Sequence, residues 1–472
     1  MRLAVLTPLP PARSGVAHYA SLVLPALATR ADVRAFATLE GYRAGDYDAV
    51  IYQLGNNPHH ELMYREAMRT PGVVVLHDLV LHHLIVEMTL ARGDAEAYVA
   101  AMQANHGEAG AAWARGRAAG LHSEMGNFLL PASVEIAQRS RAVIVHNEYA
   151  AARLRSFGVT TPIHVVPHPY VPETRTFDRD AIRAKLGFTN EQCVIGFFGF
   201  VTSAKRAELV LAAFRIARER DPRLALLIVG EPAPNIDVAS LQGEGIVLTG
   251  YVDDDEFPAY YAAADRFVNL RYPSAGETSG TLIRAFDAGR PVAVSEYAQF
   301  AELPADCVFK VPLGAHEVET LVEFFTRKLP DPSRAQRAWL EEHARVEKTV
   351  AGYLNAIRGT QRTDTRAASA TLPLFPQLEL VSAMISAEVR IVVRNVGEAT
   401  ILTRTYHQPE YRMIAKLFDG ERQVQDRWLA LPCDLRPRET VELSFPRIGH
   451  ATTLRLYHAL QDVPMLEPEA FA

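Results

Sequence analysis

The sequence predicts an α/β protein of two lobes, each a doubly wound parallel sheet, followed by a small all-β module. Short apolar runs of strand length alternate with stretches of helical period over the first 358 residues, in two separate series. A segment at about 166–183, carrying Pro167, His168 and Pro169, separates the series. Beyond a polar stretch the pattern changes to short alternating runs punctuated by Asn, Gly and Pro, the spacing of antiparallel strands.

In chain order, Arg2–Leu6 reads as a buried strand, followed by a Pro and Gly loop and a helix at 18–28. The runs 49–52, Val73–Leu76 and Ala142–Val145 repeat the strand signal. Between the last two, 84–137 is rich in Ala, Met, Leu and Glu, reads as helical, and is longer than a plain crossover, which marks an insertion near the active face. The second series holds strands at 194–198, Leu224–Val229, 245–248, 266–270 and 292–294, with helices at 205–220, 255–264 and 280–288. Residues 333–357 read as helix that crosses back to the first lobe. The division is therefore 1–170, 171–358, a polar linker at 359–377, and 378–472 as a β-sandwich with strands at 388–393, 412–417, 440–445 and 453–457. Two Rossmann-like lobes of this kind place a ligand cleft between them, because open parallel sheets bind at the carboxyl ends of their strands.

Bulk properties exclude several classes. At 472 residues the chain has room for about three domains. Lys plus Arg is 49 and Asp plus Glu 55, a net charge of -6, with 49% apolar and 22% charged residues. This is an ordinary globular balance, and it argues against a nucleic-acid partner. Three distant cysteines (Cys193, Cys307, Cys433) form no disulfide or zinc pattern, and the four-residue apolar run near the N-terminus is too short for a signal core. A cytoplasmic location is the expectation. The apolar stretches are far shorter than a membrane span needs, so any membrane contact is peripheral.

Three loops carry the chemistry. PLPPARSG at 8–15 lies between a strand and a helix, where free amides and the helix dipole attract an anion; Ser14 and Gly15 are either a phosphate or sugar contact or a simple turn. FFGFVTSAKR at 197–206 repeats that arrangement with two cations, so Gly199, Lys205 and Arg206 suit a diphosphate; the plain alternative is a solvated helix-start lysine. RYPSAGETSGTLIR at 271–284 places Thr278, Ser279, Gly280 and Thr281 at a helix start, an anion nest with Thr278 or Ser279 as cap. A carboxylate beside a phosphate is repulsive, so Glu277 is either a hydroxyl acceptor for a sugar or ribose or a solvated loop acid.

The ordered motifs GETSGTLIRAFDAGRPV, FFGFVTSAKR, SGVAHY, GYVDDDEF, YAAADRFVNLRYP and HDLVLHH resemble the retaining, nucleotide-sugar-dependent glycosyltransferases of family 4, which have the GT-B fold; the likeness covers about residues 1–358. It implies sugar transfer without a metal or other cofactor, a nucleotide-sugar donor on the second lobe, and a glycan or lipid-linked acceptor on the first, in bacterial cell-surface polysaccharide synthesis. By motif position Lys205 would hold the diphosphate, Gly15 would lie near it, the 279–281 amides would help, and His77 would contact the transferred sugar. Asp78 would orient His77 or bind a sugar hydroxyl, or simply cap the strand end. Tyr251, in the GYVDDDEF motif, is a donor-site residue on the same basis.

Two positions depart from the family. Phe200 stands where its commonest form has Arg, leaving Arg206 or Arg271 to supply that charge. Glu277 stands about where the first of the family's glutamate pair belongs, but Arg284 occupies the place of the second and cannot accept ribose hydroxyls. Arg284 would meet a diphosphate oxygen or brace Glu277. The competing reading is a non-catalytic carbohydrate-binding or scaffold protein of the same fold; a sugar-nucleotide epimerase leaves the 84–137 insertion and the β module without a role. His77, Asp78, His82 and His83 cluster, with His59 and His60 nearby, but lack a second ligand pair of firm spacing, so they read as acceptor-loop histidines and no bound metal is expected. The β module resembles immunoglobulin-like modules appended to carbohydrate enzymes, with acceptor binding, oligomerisation or packing as its roles.

Overall fold

Full burial of Leu3, Ala4, Val5 and Leu6 makes β1 (Arg2–Leu6) an interior strand of the first sheet. The computed structural model describes residues 1–12, 14–121, 124–234, 236–253, 255–360, 378–396, 412–431, 435–436, 438–447, 449–458 and 463–464. β1 is followed by α1 (Gly15–Ala28), β2 (Asp32–Phe36), β3 (Ala49–Leu54), α2 (Glu61–Arg69) and β4 (Val73–Leu76). The insertion comes next, as α3 (His82–Met88), α4 (Ala95–Ala118, kinked at His106 and Gly107), α5 (Glu124–Leu129) and α6 (Val134–Arg139). β5 (Ala142–Val145), α7 (Glu148–Ser156) and β6 (Ile163–Val165) complete a parallel sheet of order β2-β1-β3-β4-β5-β6.

The second lobe contains α8 (Arg179–Lys185), β7 (Cys193–Phe198), α9 (Ala207–Arg220), β8 (Leu224–Val229), β9 (Ile246–Leu248), α10 (Phe257–Ala263), β10 (Arg266–Asn269), α11 (Gly280–Asp287), β11 (Val292–Ser295), β12 (Phe309–Val311) and α12 (Glu317–Thr326). Its parallel sheet has the order β12-β11-β10-β7-β8-β9, so strand order reverses between β7 and β10. The loops after these two strands leave toward opposite faces and open a crevice there. Those are the loops at 199–206 and 270–279.

α13 (Ser333–His343) and α14 (Val346–Thr360) replace the single helix expected at 333–357. The break has a backbone cause: Tyr170 in the connection between the lobes donates its N–H to the Ala344 carbonyl and bridges Arg345 in parallel. α14 crosses back, with Val350, Tyr353, Ala356 and Ile357 packing among Leu3, Val5, Tyr19, Ile51 and Ile144 of the first lobe. The helix expected at 205–220 starts at Ala207, because Arg206 adopts φ 61 in the left-handed region and ends a short turn at Ser203–Lys205. Strands β2, β6 and β12 were not expected; each is an outer strand of its sheet or next to one, with few fully buried residues.

At the C-terminus lie two antiparallel sheets. One joins β13 (Leu378–Ile385), β14 (Glu388–Asn395) and, further on, Thr440–Pro446; the other joins β15 (Arg412–Asp419), β16 (Arg422–Ala430), Thr453–His458 and Val463–Pro464. Val389, Ile391 and Val393 from the first sheet and Met413, Ala415 and Leu417 from the second share one apolar cluster. Of the expected linker, 361–377 lies outside the described residues, as do Arg13, Asp254 and Cys433. No described helix is long and apolar enough to cross a membrane.

Candidate active site

The carboxyl ends of the two sheets face each other. After β4, the Val80 amide donates to the Ala275 carbonyl (3.1 Å). After β5, Asn147 Nδ2 donates to the Gly276 carbonyl (2.9 Å) and to Thr278 Oγ1 (3.3 Å). Glu302 of the second lobe accepts the Glu148 and Tyr149 amides at the start of α7. The 275–278 loop is thereby stitched to the first lobe. Gly276 is required there: its φ is +75°, and a methyl on it would meet Leu79 Cβ at 2.7 Å. Gly276→Ala therefore shifts the closed arrangement toward an open one by about 1–2 kcal/mol, and small-angle scattering should record a larger radius of gyration.

Lys205 is only 9% exposed; its Nζ donates to the Phe198 carbonyl at 2.9 Å and lies 2.6 Å from where a β-carbon on Gly199 would sit. Gly199, at φ +81°, is thus the surface against which the ammonium rests. Burial, and then the neighbouring Arg271, hold the Lys205 ammonium well below its ordinary value, partly offset by Glu277. Ser279 caps α11, its Oγ accepting from Leu282 N and meeting Asn269 and Thr281. Gly280 and Thr281 supply first-turn amides beside it. Ser14 caps α1 in the same way through Val16 N, with open space over Gly15.

Other expected residues have different partners. Arg206 forks onto Glu317 at 3.1 and 2.7 Å, at the start of α12. Arg271 grips Glu277 (Nε to Oε1, 2.8 Å) and so takes the bracing position expected of Arg284. Arg284 instead reaches across the lobes, Nη2 donating to His18 Nε2 at 2.9 Å, while its buried Nη1 has no partner among the described residues. Tyr251 and Phe200 stand partly exposed, at 38% and 49%.

The histidines diverge. His82 donates from Nδ1 to the Leu130 carbonyl and accepts from Tyr98; His60 donates to the Gln53 carbonyl; His83 lies beside Asn56 and Asn127. Among the described residues no group of three His, Cys, Asp or Glu side chains could hold a metal ion. His77 is not oriented by Asp78. Its Nδ1 lies 3.2 Å from Nε2 of His146, the residue that follows β5. Asp78 accepts the Asn56 amide (2.7 Å), and its carboxyl is pushed up to about 7 by burial first and then by Glu277, against the pull of that amide and Arg271.

A carboxyl raised in the folded state binds its proton there when the unfolded chain has lost it. Stability therefore falls as pH rises through the window from about 4 to 7. Asp78→Asn removes this dependence, so thermal melts should show the variant gaining more over the parent chain at pH 8 than at pH 5.

Residues 192–323 match the family model described as glycosyl transferases group 1. The mannosylfructose-phosphate synthase of Agrobacterium fabrum is 30% identical over 152 residues, 28% of this chain and 32% of that protein. The D-inositol 3-phosphate glycosyltransferase of Salinispora arenicola is 27% identical over 194 residues, 36% and 42% respectively. The chain thus spans less than half the length of either relative. Among solved structures, Anabaena HepE in complex with UDP superposes with a TM-score of 0.52 at 15% identity, covering 75% of this chain and 99% of that one. Sucrose-phosphate synthase from Thermosynechococcus elongatus gives 0.54 at 16% identity, covering 76% and 98%. The fold is GT-B, and its second lobe is similar to the group 1 glycosyl transferases over residues 192–323.

Proposed function

We propose that the chain is a retaining glycosyltransferase that moves a sugar from a nucleotide-sugar donor to a glycan or lipid-linked acceptor, in bacterial cell-surface polysaccharide synthesis. The carrying observation is the convergence of Lys205, the α11 amides and the Arg271–Glu277 pair at the point where β7 and β10 diverge, opposite the first-lobe loop that carries Asp78 and Val80. A departing diphosphate needs preorganised positive charge at that place, and no solvent reorganisation when it leaves. In this reading the ammonium and amides meet the leaving charge without a metal.

The bond between the anomeric carbon and the diphosphate oxygen breaks with its electron pair going to phosphate. An acceptor hydroxyl attacks from the same face and passes its proton to the departing oxygen, so no protein nucleophile is required. Glu277, held by Arg271, accepts hydroxyls of the donor. The cytoplasm supplies sugar nucleotides and is the expected location, with peripheral contact at the inner membrane face when the acceptor is lipid-linked. The C-terminal β region is read as an immunoglobulin-like sandwich for acceptor binding or oligomerisation.

HepE was solved with UDP, which makes UDP-sugars the first donors to test. A thermal-shift screen across UDP, GDP, ADP and CMP sugars should find one that stabilises the protein by about 2.7 kcal/mol at 100 times its dissociation constant. Anomeric proton couplings of the product then report retention. Phe200 and the Arg284–His18 contact favour a second reading, a carbohydrate-binding protein without turnover; binding of glycan with no donor accepted would establish it instead.

A further inference from the structure

We propose that His146 is a positioning residue: it locks His77 as the Nδ1–H tautomer and leaves His77 Nε2 as a hydrogen-bond acceptor for a hydroxyl of the donor sugar. This rests on the glycosyl-transfer reading for the identity of the hydroxyl, but the tautomer itself follows from the contacts. A backbone carbonyl can only accept, so the 2.8 Å contact between His146 Nδ1 and the Val166 oxygen places a proton on that nitrogen. Burial holds the His146 imidazole down at about 4, so the ring is neutral and its Nε2 carries a lone pair.

That lone pair faces His77 Nδ1 at 3.2 Å. Two lone pairs would repel at this distance, so His77 must donate, and its remaining nitrogen bears no proton. His77 is likewise kept neutral, far below the usual imidazole range, by burial first and then by His146, His60 and His168. The resulting chain runs from His77 through His146 to the Val166 carbonyl. His77 Nε2 is buried without a partner among the described residues, the one lone pair of the chain left to a ligand. Tyr19 packs edge-on against the His77 ring at 4.5 Å, and the His77 amide donates to the Leu54 carbonyl, so neither ring nor backbone is free to turn.

The outer anchor also has a place in the fold. Val166 begins the connection between the lobes, and its own amide is bonded to Val145 at the end of β5. A residue that fixes ring orientation from behind resembles the second layer of a metal or nucleophile site in its logic: the partner touches no substrate but decides which nitrogen does.

The test uses the full-length protein labelled with ¹⁵N-histidine, with His77 signals assigned by their loss in His77→Gln. Two-bond ¹H–¹⁵N correlations should show the protonated nitrogen of His77 as Nδ1; an Nε2–H form in the parent chain overturns the proposal, whatever the activity. In His146→Leu the Nε2–H form should appear, and kcat with the accepted donor should fall by roughly tenfold or more while nucleoside diphosphate affinity is kept. His146→Gln, whose amide can both donate to Val166 and accept from His77, should restore the tautomer and most of kcat. An unchanged tautomer and kcat in His146→Leu overturn the proposal. A parent chain that shows the Nδ1–H form but transfers no sugar defeats the glycosyl-transfer reading and leaves the tautomer lock standing.

Discussion

Lys205→Met should lower the proposed sugar transfer by about 10²–10³-fold without weakening the fold. The side chain is buried and already sits against the Phe198 carbonyl and Gly199. Methionine fills a similar volume and removes the penalty of keeping a cation out of water, so the melting temperature should hold or rise. A loss of activity that tracked a loss of stability would point to packing rather than charge. A further sign comes from protonation. Burial and Arg271 lower the Lys205 ammonium in the free protein, and a bound diphosphate draws it back up. Between the free and the bound value binding takes up a proton, so affinity declines as pH rises across that window. Calorimetry in two buffers of different ionisation enthalpy, repeated over a series of pH values, should record that uptake in the parent chain within the window and lose it in Lys205→Met.

Arg183→Met should destabilise the second lobe by about 3–5 kcal/mol. Arg183 is 1% exposed, and its guanidinium donates to Asp265 and to the carbonyls of Ala263, Thr189 and Gln192. It is the tie between α8, the start of β7 and the entry to β10. Methionine leaves three carbonyls short of a donor and Asp265 with Arg179 and the Val194 amide alone. Scanning calorimetry should find the transition of this lobe lowered by roughly 10 °C. A shift within 2 °C would mean that water replaces the lost bonds. Because these residues lie at the opposite ends of the strands from Lys205, nucleotide affinity measured well below the transition should not change.

Most strands of both lobes were legible because a buried parallel strand reads as an unbroken apolar run. Leu224–Val229 is fully buried along its whole length, and Val73–Leu76 and Ala142–Val145 likewise. Asp32–Phe36 was not legible: it is an edge strand with one buried residue in five and charges facing water. Strand–loop–helix order pointed to Ser14, Gly199, Lys205 and Ser279, since a loop after a parallel strand has one place to go. The partners of these residues were hidden. His146 lies 69 residues from His77 and is brought beside it by the pairing of β4 with β5 inside the first lobe, whereas Asn147 lies 131 from Thr278 and His18 266 from Arg284, contacts that only the closure of one lobe on the other creates. Charge swaps were hidden for the same reason: Arg271 and Arg284 are both cations near Glu277 in sequence, and only the geometry assigns Glu277 to the first.

Crystals grown with UDP, GDP and ADP in turn show whether Lys205 and the α11 amides hold the pyrophosphate. Pyrophosphate density should lie within hydrogen-bonding reach of Lys205 Nζ and the amides of Gly280 and Thr281, with His77 facing the vacant sugar position. A nucleotide bound elsewhere, with that turn unchanged, would contradict it.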